Sequence, residues 1–145
     1  EEFNISLTLS SDNWDCRYPG ARVYINDQLI FEDDAVIDSV EVNWTGNIND
    51  GKNKLIIEMF GKIPTDTLTD VHGERIEDVI LNIDSVKFND VDLRNVPWEE
   101  SVYYPVKTND ENAPDEVKNC TNLGWNGKWE LEFDSPVFMW LLEKL

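Results

Sequence analysis

The densest concentration of reactive side chains lies in residues 65 to 93, TDTLTDVHGERIEDVILNIDSVKFNDVDL, where Asp66, Asp70, Glu74, Glu77 and Asp78 surround His72, the one histidine of the chain. A hard cation such as calcium takes several oxygen ligands from one flexible loop, so Asp66, Asp70, Glu74 and Asp78 are the candidate ligands and calcium the candidate cofactor. The spacing differs from that of an EF-hand loop, whose alternate carboxylates lead to a mid-loop glycine and a closing glutamate. A plain acidic turn is the competing reading.

Catalysis finds little support in the same residues. Any Ser-His-Asp or Cys-His mechanism must run through His72, which sits in the turn-like Val71-His72-Gly73, and no serine or cysteine occupies a nucleophile motif. A glycosidase needs two carboxyl groups facing each other across a cleft. With 30 Asp and Glu such pairs arise everywhere, and adjacent ones such as Glu99 and Glu100 on a strand point to opposite faces. Phosphate-cradling glycine loops and paired-histidine metal motifs are absent from the sequence. The reading is a non-catalytic protein.

Binding chemistry is better represented. Trp14, Trp98 and Trp125 fall near loops, where an aromatic face can stack on a sugar ring or meet a partner protein. Trp44, Trp129 and Trp140 read as packing residues. The final stretch, VFMWLLEKL, is an apolar run, and residues 134 to 145 read as a docking segment with Phe138, Trp140 and Leu141 as assembly contacts.

Bulk properties narrow the partners. The 145 residues carry 12 Lys and Arg against 30 Asp and Glu, a formal charge of -18. Such a surface repels phosphate backbones and anionic membranes, so neither nucleic acid nor membrane is expected as a partner. Acid excess fits a hard cation, a salt-rich medium, or plain solubility. With 41% hydrophobic and 11% aromatic residues, the chain folds rather than staying disordered. Cys16 and Cys120 match no zinc spacing and form no disulfide framework, and their separation leaves pairing open. Sequons at Asn4, Asn43 and Asn119 are weak signs of secretion in an Asn-rich chain. The opening Glu1-Glu2-Phe3, without Met or an apolar signal, is compatible with processing upstream.

The elements that position these groups follow from period-two alternation. Phe3, Ile5, Leu7 and Leu9 share one strand face. RVYINDQLIFED forms a hairpin about Asn26-Asp27. Val40, Val42 and Trp44 share a face, Asp50-Gly51 marks a turn, and LIIEMF over 55–60 reads as a more fully buried strand. Val79, Leu81 and Ile83 alternate before the phase slips to Val86 and Phe88, which predicts a bulge near Asp84-Ser85. Asn89-Asp90 is a further turn. SVYYPVK reads as a strand, residues 108–118 as a polar loop with room for a helical turn, and Asn126-Gly127 as a hairpin before Trp129, Leu131 and Phe133. Eight to ten short strands with almost no helix predict one domain over 1–145, all-β, a single antiparallel β-sandwich of jelly-roll type.

The order FNISLTLSS, YPGARVYINDQLIFED, VEVNW, DGKNKLIIEMFGK and EDVILNIDSVKFNDVDL resembles the calcium-dependent, xylan-binding type of carbohydrate-binding module. In that family VYIND-like and VILNIDSVKFND-like strands belong to a jelly-roll sandwich. The stretch GKIPTDTLTDVHGERIEDVILNIDSVKFNDVDL, with Lys62, Asp66-Thr67, Asp70 to Gly73 and Asp78 in order, also looks like a domain of structural proteins of tailed, notably marine, bacteriophages. The ending GWNGKWELEFDSPVFMWLLEKL is similar to the close of such proteins. That resemblance implies a virion component, as capsid decoration, fibre or tail part, whose partners are other virion proteins or further copies of itself, with a host surface glycan as a further contact. The alternative it implies is an extracellular module of a polysaccharide-degrading enzyme, binding carbohydrate with calcium.

Overall fold

The alternation of Phe3, Ile5, Leu7 and Leu9 builds β1 (Glu2–Asp12), with those four side chains buried. In the computed structural model, which describes residues 1–107 and 110–145, β1 is the spine of one sheet. It pairs antiparallel with β4 (Ser39–Asn47) on one side and β8 (Ile80–Phe88) on the other. Two short strands, β9 (Val91–Asp92) and β12 (Asn122–Leu123), add to β8 and complete five strands.

The second sheet has six strands, in the order β11 (Val117–Lys118), β10 (Val102–Pro105), β13 (Gly127–Ser135), β5 (Gly51–Phe60), β2 (Gly20–Ile25) and β3 (Gln28–Asp33). Leu81, Val86 and Phe88 of β8, with the four residues of β1, face Leu55, Ile57 and Met59 of β5 and Trp129, Leu131 and Phe133 of β13 in one continuous core. The chain passes between the sheets repeatedly, at β1 to β2, β3 to β4, β4 to β5, β5 to β8, β9 to β10, β11 to β12 and β12 to β13, the crossover habit of jelly rolls. This is the antiparallel β-sandwich that the periodicity predicts.

Turn chemistry is where the sequence placed it at several points. Asn26 takes a φ of 55° between β2 and β3, and Asn89 and Asp90 take 49° and 66° between β8 and β9, the left-handed pair that a tight hairpin needs. The phase slip in β8 is a bulge: Ile83 pairs with Leu9 and Ser85 with Thr8, which leaves Asp84 as the extra residue.

Other expectations are corrected. Asn126-Gly127 closes no hairpin, because β12 and β13 belong to different sheets. Glycine is required there by close approach, since a Cβ at Gly127 would lie 2.3 Å from the Tyr104 carbonyl oxygen. The 55–60 strand is not buried on both sides. Leu55, Ile57 and Met59 point inward, while Ile56 and Phe60 are half-covered on the outer face, Phe60 beneath the Arg22 guanidinium at 3.8 Å.

Two helices appear, α1 (Val96–Glu100) and α2 (Val137–Lys144), the second formed by the run expected to be a tail. The polar loop over 108–118 begins on residues 108 and 109, outside the described residues; from Asp110 it makes a turn in which Ala113 N–H donates to the Asp110 carbonyl at 3.1 Å. Cys16 and Cys120 are free thiols. Among the described residues no helix is long and apolar enough to cross a membrane.

Candidate functional site

The acidic loop leaves the sandwich after β5, makes a 3-10 turn at Pro64–Asp66, and forms a small hairpin of β6 (Leu68–Thr69) and β7 (Arg75–Glu77) before β8. Three of its four candidate calcium ligands, Asp66, Asp78 and Asp70, have separate structural tasks. Asp66, whose side chain is 1% exposed, takes Arg17 Nε at 2.7 Å and Arg17 Nη2 at 3.0 Å, and accepts the Ile63 N–H at 2.9 Å. Burial alone would raise its carboxyl pKa, but Arg17, the Ile63 N–H and the charge of Lys62 together outweigh burial and hold it below the usual carboxylate range.

Asp78 accepts Lys62 Nζ at 2.6 Å and Thr67 Oγ1 at 2.8 Å on one oxygen and Arg75 at 3.3 Å on the other. Asp70 shapes the hairpin tip: its carboxylate accepts the N–H groups of His72 and Glu74 at 2.8 and 2.9 Å, and Gly73 supplies a φ of 80°. His72 and Glu74 are exposed there. Among the described residues no three Asp, Glu, His or Cys side chains form a group able to hold a metal. The four carboxylates therefore do not fit a calcium ion as a set. The motif Lys62, Asp66-Thr67, Asp70 to Gly73 and Asp78 ties the loop to the sandwich and folds its tip.

Beside this loop opens a cleft of about 630 Å³, within the roughly 300–1,000 Å³ typical of small-ligand sites. Trp125 is its aromatic wall. The indole N–H donates to Asp110 at 3.1 Å, and the Trp125 backbone is gripped at both its N–H and carbonyl by the buried Tyr103 hydroxyl. Burial raises the Tyr103 pKa well above the ordinary phenol value, so it stays a neutral donor. A polar ladder across β12, β8 and β1 lines the same cleft: Asn122 donates to Asn82 at 2.8 Å, and Asn82 to Asp12 at 3.2 Å. Lys62, Arg75 and Asp78 line the side nearest the acidic loop. Asn126 joins two rims, its amide donating to the Lys62 carbonyl at 2.8 Å and accepting the Lys62 N–H at 2.9 Å.

Of the three loop tryptophans, only Trp125 lines this cleft. Trp14 packs against the core and donates its indole N–H to the Asp66 carbonyl at 2.6 Å. Trp98 stands half-exposed on α1 beside a separate groove with Arg94 and Thr121. The three assembly candidates also part company. Trp140 and Leu141 turn inward, Trp140 lying tilted to Phe88 and edge-on to Phe133 with centroids 5.7 and 6.2 Å away, which buries both. Phe138 is 66% exposed.

Sequence reasoning did not single out Asp12, Asn82, Asn122 or Arg75. In strands, the first three read as ordinary outward polar residues, and only the pairing of strands distant in sequence brings them into one row.

No protein-family model and no curated protein matches the sequence. Two solved structures do match. One is described as vCBM60 in complex with galactobiose, 12% identical with a TM-score of 0.52, the match covering 88% of this chain and 96% of that one. The other is a selenomethionine form of vCBM60, reported with circular permutation as an evolutionary link between two families of calcium-dependent carbohydrate-binding modules. It is 11% identical with a TM-score of 0.53, and the match covers 89% of each chain. At such identity the similarity is one of fold: the chain has a carbohydrate-binding-module-like β-sandwich.

Proposed function

We propose that this domain is a non-catalytic module that binds a neutral glycan in the Trp125 cleft. The observation that carries the reading is that one cleft is lined by both the hydrogen-bonded Trp125 indole and a row of amides ending in a carboxylate. A pyranose presents an apolar face suited to the indole and a rim of hydroxyls suited to Asn82, Asn122 and Asp12. Neutral sugars fit because Lys62 and Arg75 are committed to Asp78, which leaves Asp12 and Asp110 as the uncompensated charges of the lining and disfavours a uronate or sulfate. The fold shared with a galactobiose-bound module supports the same reading.

The test is intrinsic fluorescence titration with galactobiose and with neutral xylo- and gluco-oligosaccharides, on the native protein and on Trp125→Ala. A saturable change with at least one sugar, weakened about ten-fold or more by the substitution, is expected. A silent panel, or binding indifferent to Trp125, would overturn the reading.

A second reading, a component of a tailed-bacteriophage virion as decoration, fibre or tail part, is favoured by one observation. Helix α2 holds Phe138, Met139 and Leu142 out in solvent, with Leu145 just past its end, an apolar strip that an assembly partner would cover. Cosedimentation with purified particles tests it, and recovery only in the unbound fraction counts against it.

A further inference from the structure

Helix α2 has two faces of opposite use. Val137, Trp140 and Leu141 fasten it to β13 and the core, and the Glu1 carboxylate accepts the Val137 N–H at 3.1 Å at its start. On the other side Phe138, Met139, Leu142 and Leu145 are 52 to 66% exposed. At helical spacing, Phe138, Leu142 and Leu145 form one stripe and Met139 lies beside it. So the exposed stripe belongs to a helix that the core anchors by its opposite face.

Along the Trp140 and Glu143 flank of the same helix runs a groove of about 380 Å³ between α2 and the outer face of the six-stranded sheet. Glu100, Glu130, Glu132, Asp134 and Glu143 line it with Lys52 and Lys144; Glu100 is bridged by Lys144 at 3.0 Å and Glu130 by Lys54 at 2.8 Å. Five carboxylates against the ammonium groups of Lys52, Lys54 and Lys144 leave the groove net negative, directly beside the apolar stripe.

We infer that α2 and this groove form a docking surface for a basic amphipathic segment of another protein, its apolar side chains on Phe138, Met139 and Leu142 and its Lys or Arg residues in the groove. Charge complementarity selects that occupant. A second copy of this chain would bring another -18 charge to an already negative surface. The inference shares with the virion reading only the premise that α2 is a contact surface. It concerns the partner's chemistry and stands whether or not that partner belongs to a particle.

The experiment is fluorescence anisotropy with a labelled amphipathic Leu/Lys peptide and a control of equal charge with Ser in place of Leu. It is run at about 0.15 M salt, where exposed charges are screened beyond ~8 Å. The proteins are native, Phe138→Ser/Leu142→Ser, Glu132→Gln/Glu143→Gln and Trp125→Ala, each with its unfolding curve recorded. The Leu/Lys peptide should bind about ten-fold tighter than the Ser control. Each of the first two variants should lose about ten-fold, while Trp125→Ala should bind as the native protein does.

Equal binding of the two peptides, or binding untouched by Phe138→Ser/Leu142→Ser, would reduce the effect to diffuse attraction by an acidic protein and overturn the inference. So would a dimer that this double variant dissolves, since the occupant would then be a second copy. Failure of particle cosedimentation with peptide binding intact removes the virion reading alone.

Discussion

Lys62 and Asp78 meet at 2.6 Å on one wall of the Trp125 cleft, their side chains only 10% and 9% exposed, and Thr67 donates to the same Asp78 oxygen at 2.8 Å. The pair joins the end of β5 to the start of β8, and Lys62 also donates to the Gly124 carbonyl at 2.6 Å. A charge buried this deeply depends on its partner, since removing one member strands the other in a low dielectric.

Asp78→Leu is therefore expected to lower stability by about 3 to 5 kcal/mol, the range for breaking a buried pair. Thr67→Val, which removes one neutral hydrogen bond, should cost about 1 kcal/mol. Urea unfolding followed by tryptophan fluorescence measures both. Equal, small losses would mean that the pair is open to water.

The ion pair between Arg17 and Asp66 leads to a pH dependence. The folded carboxyl of Asp66 titrates below its unfolded value, so its contribution to stability is fully present above the unfolded pKa of about 3.9 and is lost as pH falls through the lower folded value. Asp66→Asn should be less stable than the native protein at neutral pH and should lose less on acidification below about pH 4. Thermal midpoints at neutral pH and in that acid window decide the matter. Parallel decline of the two proteins would place the acid sensitivity on other carboxylates.

Much of the sandwich was legible because it rests on period-two burial and on asparagine turns, both local properties. Phe3 to Leu9, the Asn26 and Asn89 turns and the slip at Asp84 each announce themselves within a few residues. Helix α2 did not. Its first residue follows Pro136 without a side-chain cap, and its buried positions Val137, Trp140 and Leu141 are interleaved with exposed Phe138, Met139 and Leu142, so the run reads as uniformly apolar. The cleft was hidden for another reason: Asp12, Asn82 and Asn122 come together only through strand pairing across the five-stranded sheet. The acidic loop drew attention because carboxylates are countable in sequence, whereas their pairing is not: Arg17, which neutralises Asp66, lies 49 residues away, and nothing local shows that Lys62 and Arg75 turn onto Asp78.

Calcium gives the next prediction. Because Asp66 and Asp78 are committed to cations and Asp70 to backbone N–H groups, this loop should not bind calcium as a set. Excess calcium and a chelator should give thermal midpoints within about a degree of each other, since only a ligand that prefers the folded state shifts the midpoint. A rise of several degrees that Asp70→Asn abolished would restore the loop as a metal site.

The last prediction concerns the C-terminal helix. Phe3, Phe88 and Phe133 pack with ring centroids 4.7 to 5.1 Å apart, and Trp140 closes the group from α2. Trp140 is 4% exposed, so Trp140→Ala should cost about 3 to 5 kcal/mol, as other large core truncations do. Phe138→Ser, at a side chain facing solvent, should change stability by no more than about 0.5 kcal/mol. Deleting residues 136–145 exposes Phe88 and Phe133 together and should leave a chain that unfolds at ambient temperature, read as loss of the cooperative transition in circular dichroism. A truncated chain that still melts cooperatively near the native midpoint would make α2 an appendage whose inward face adds nothing to the core.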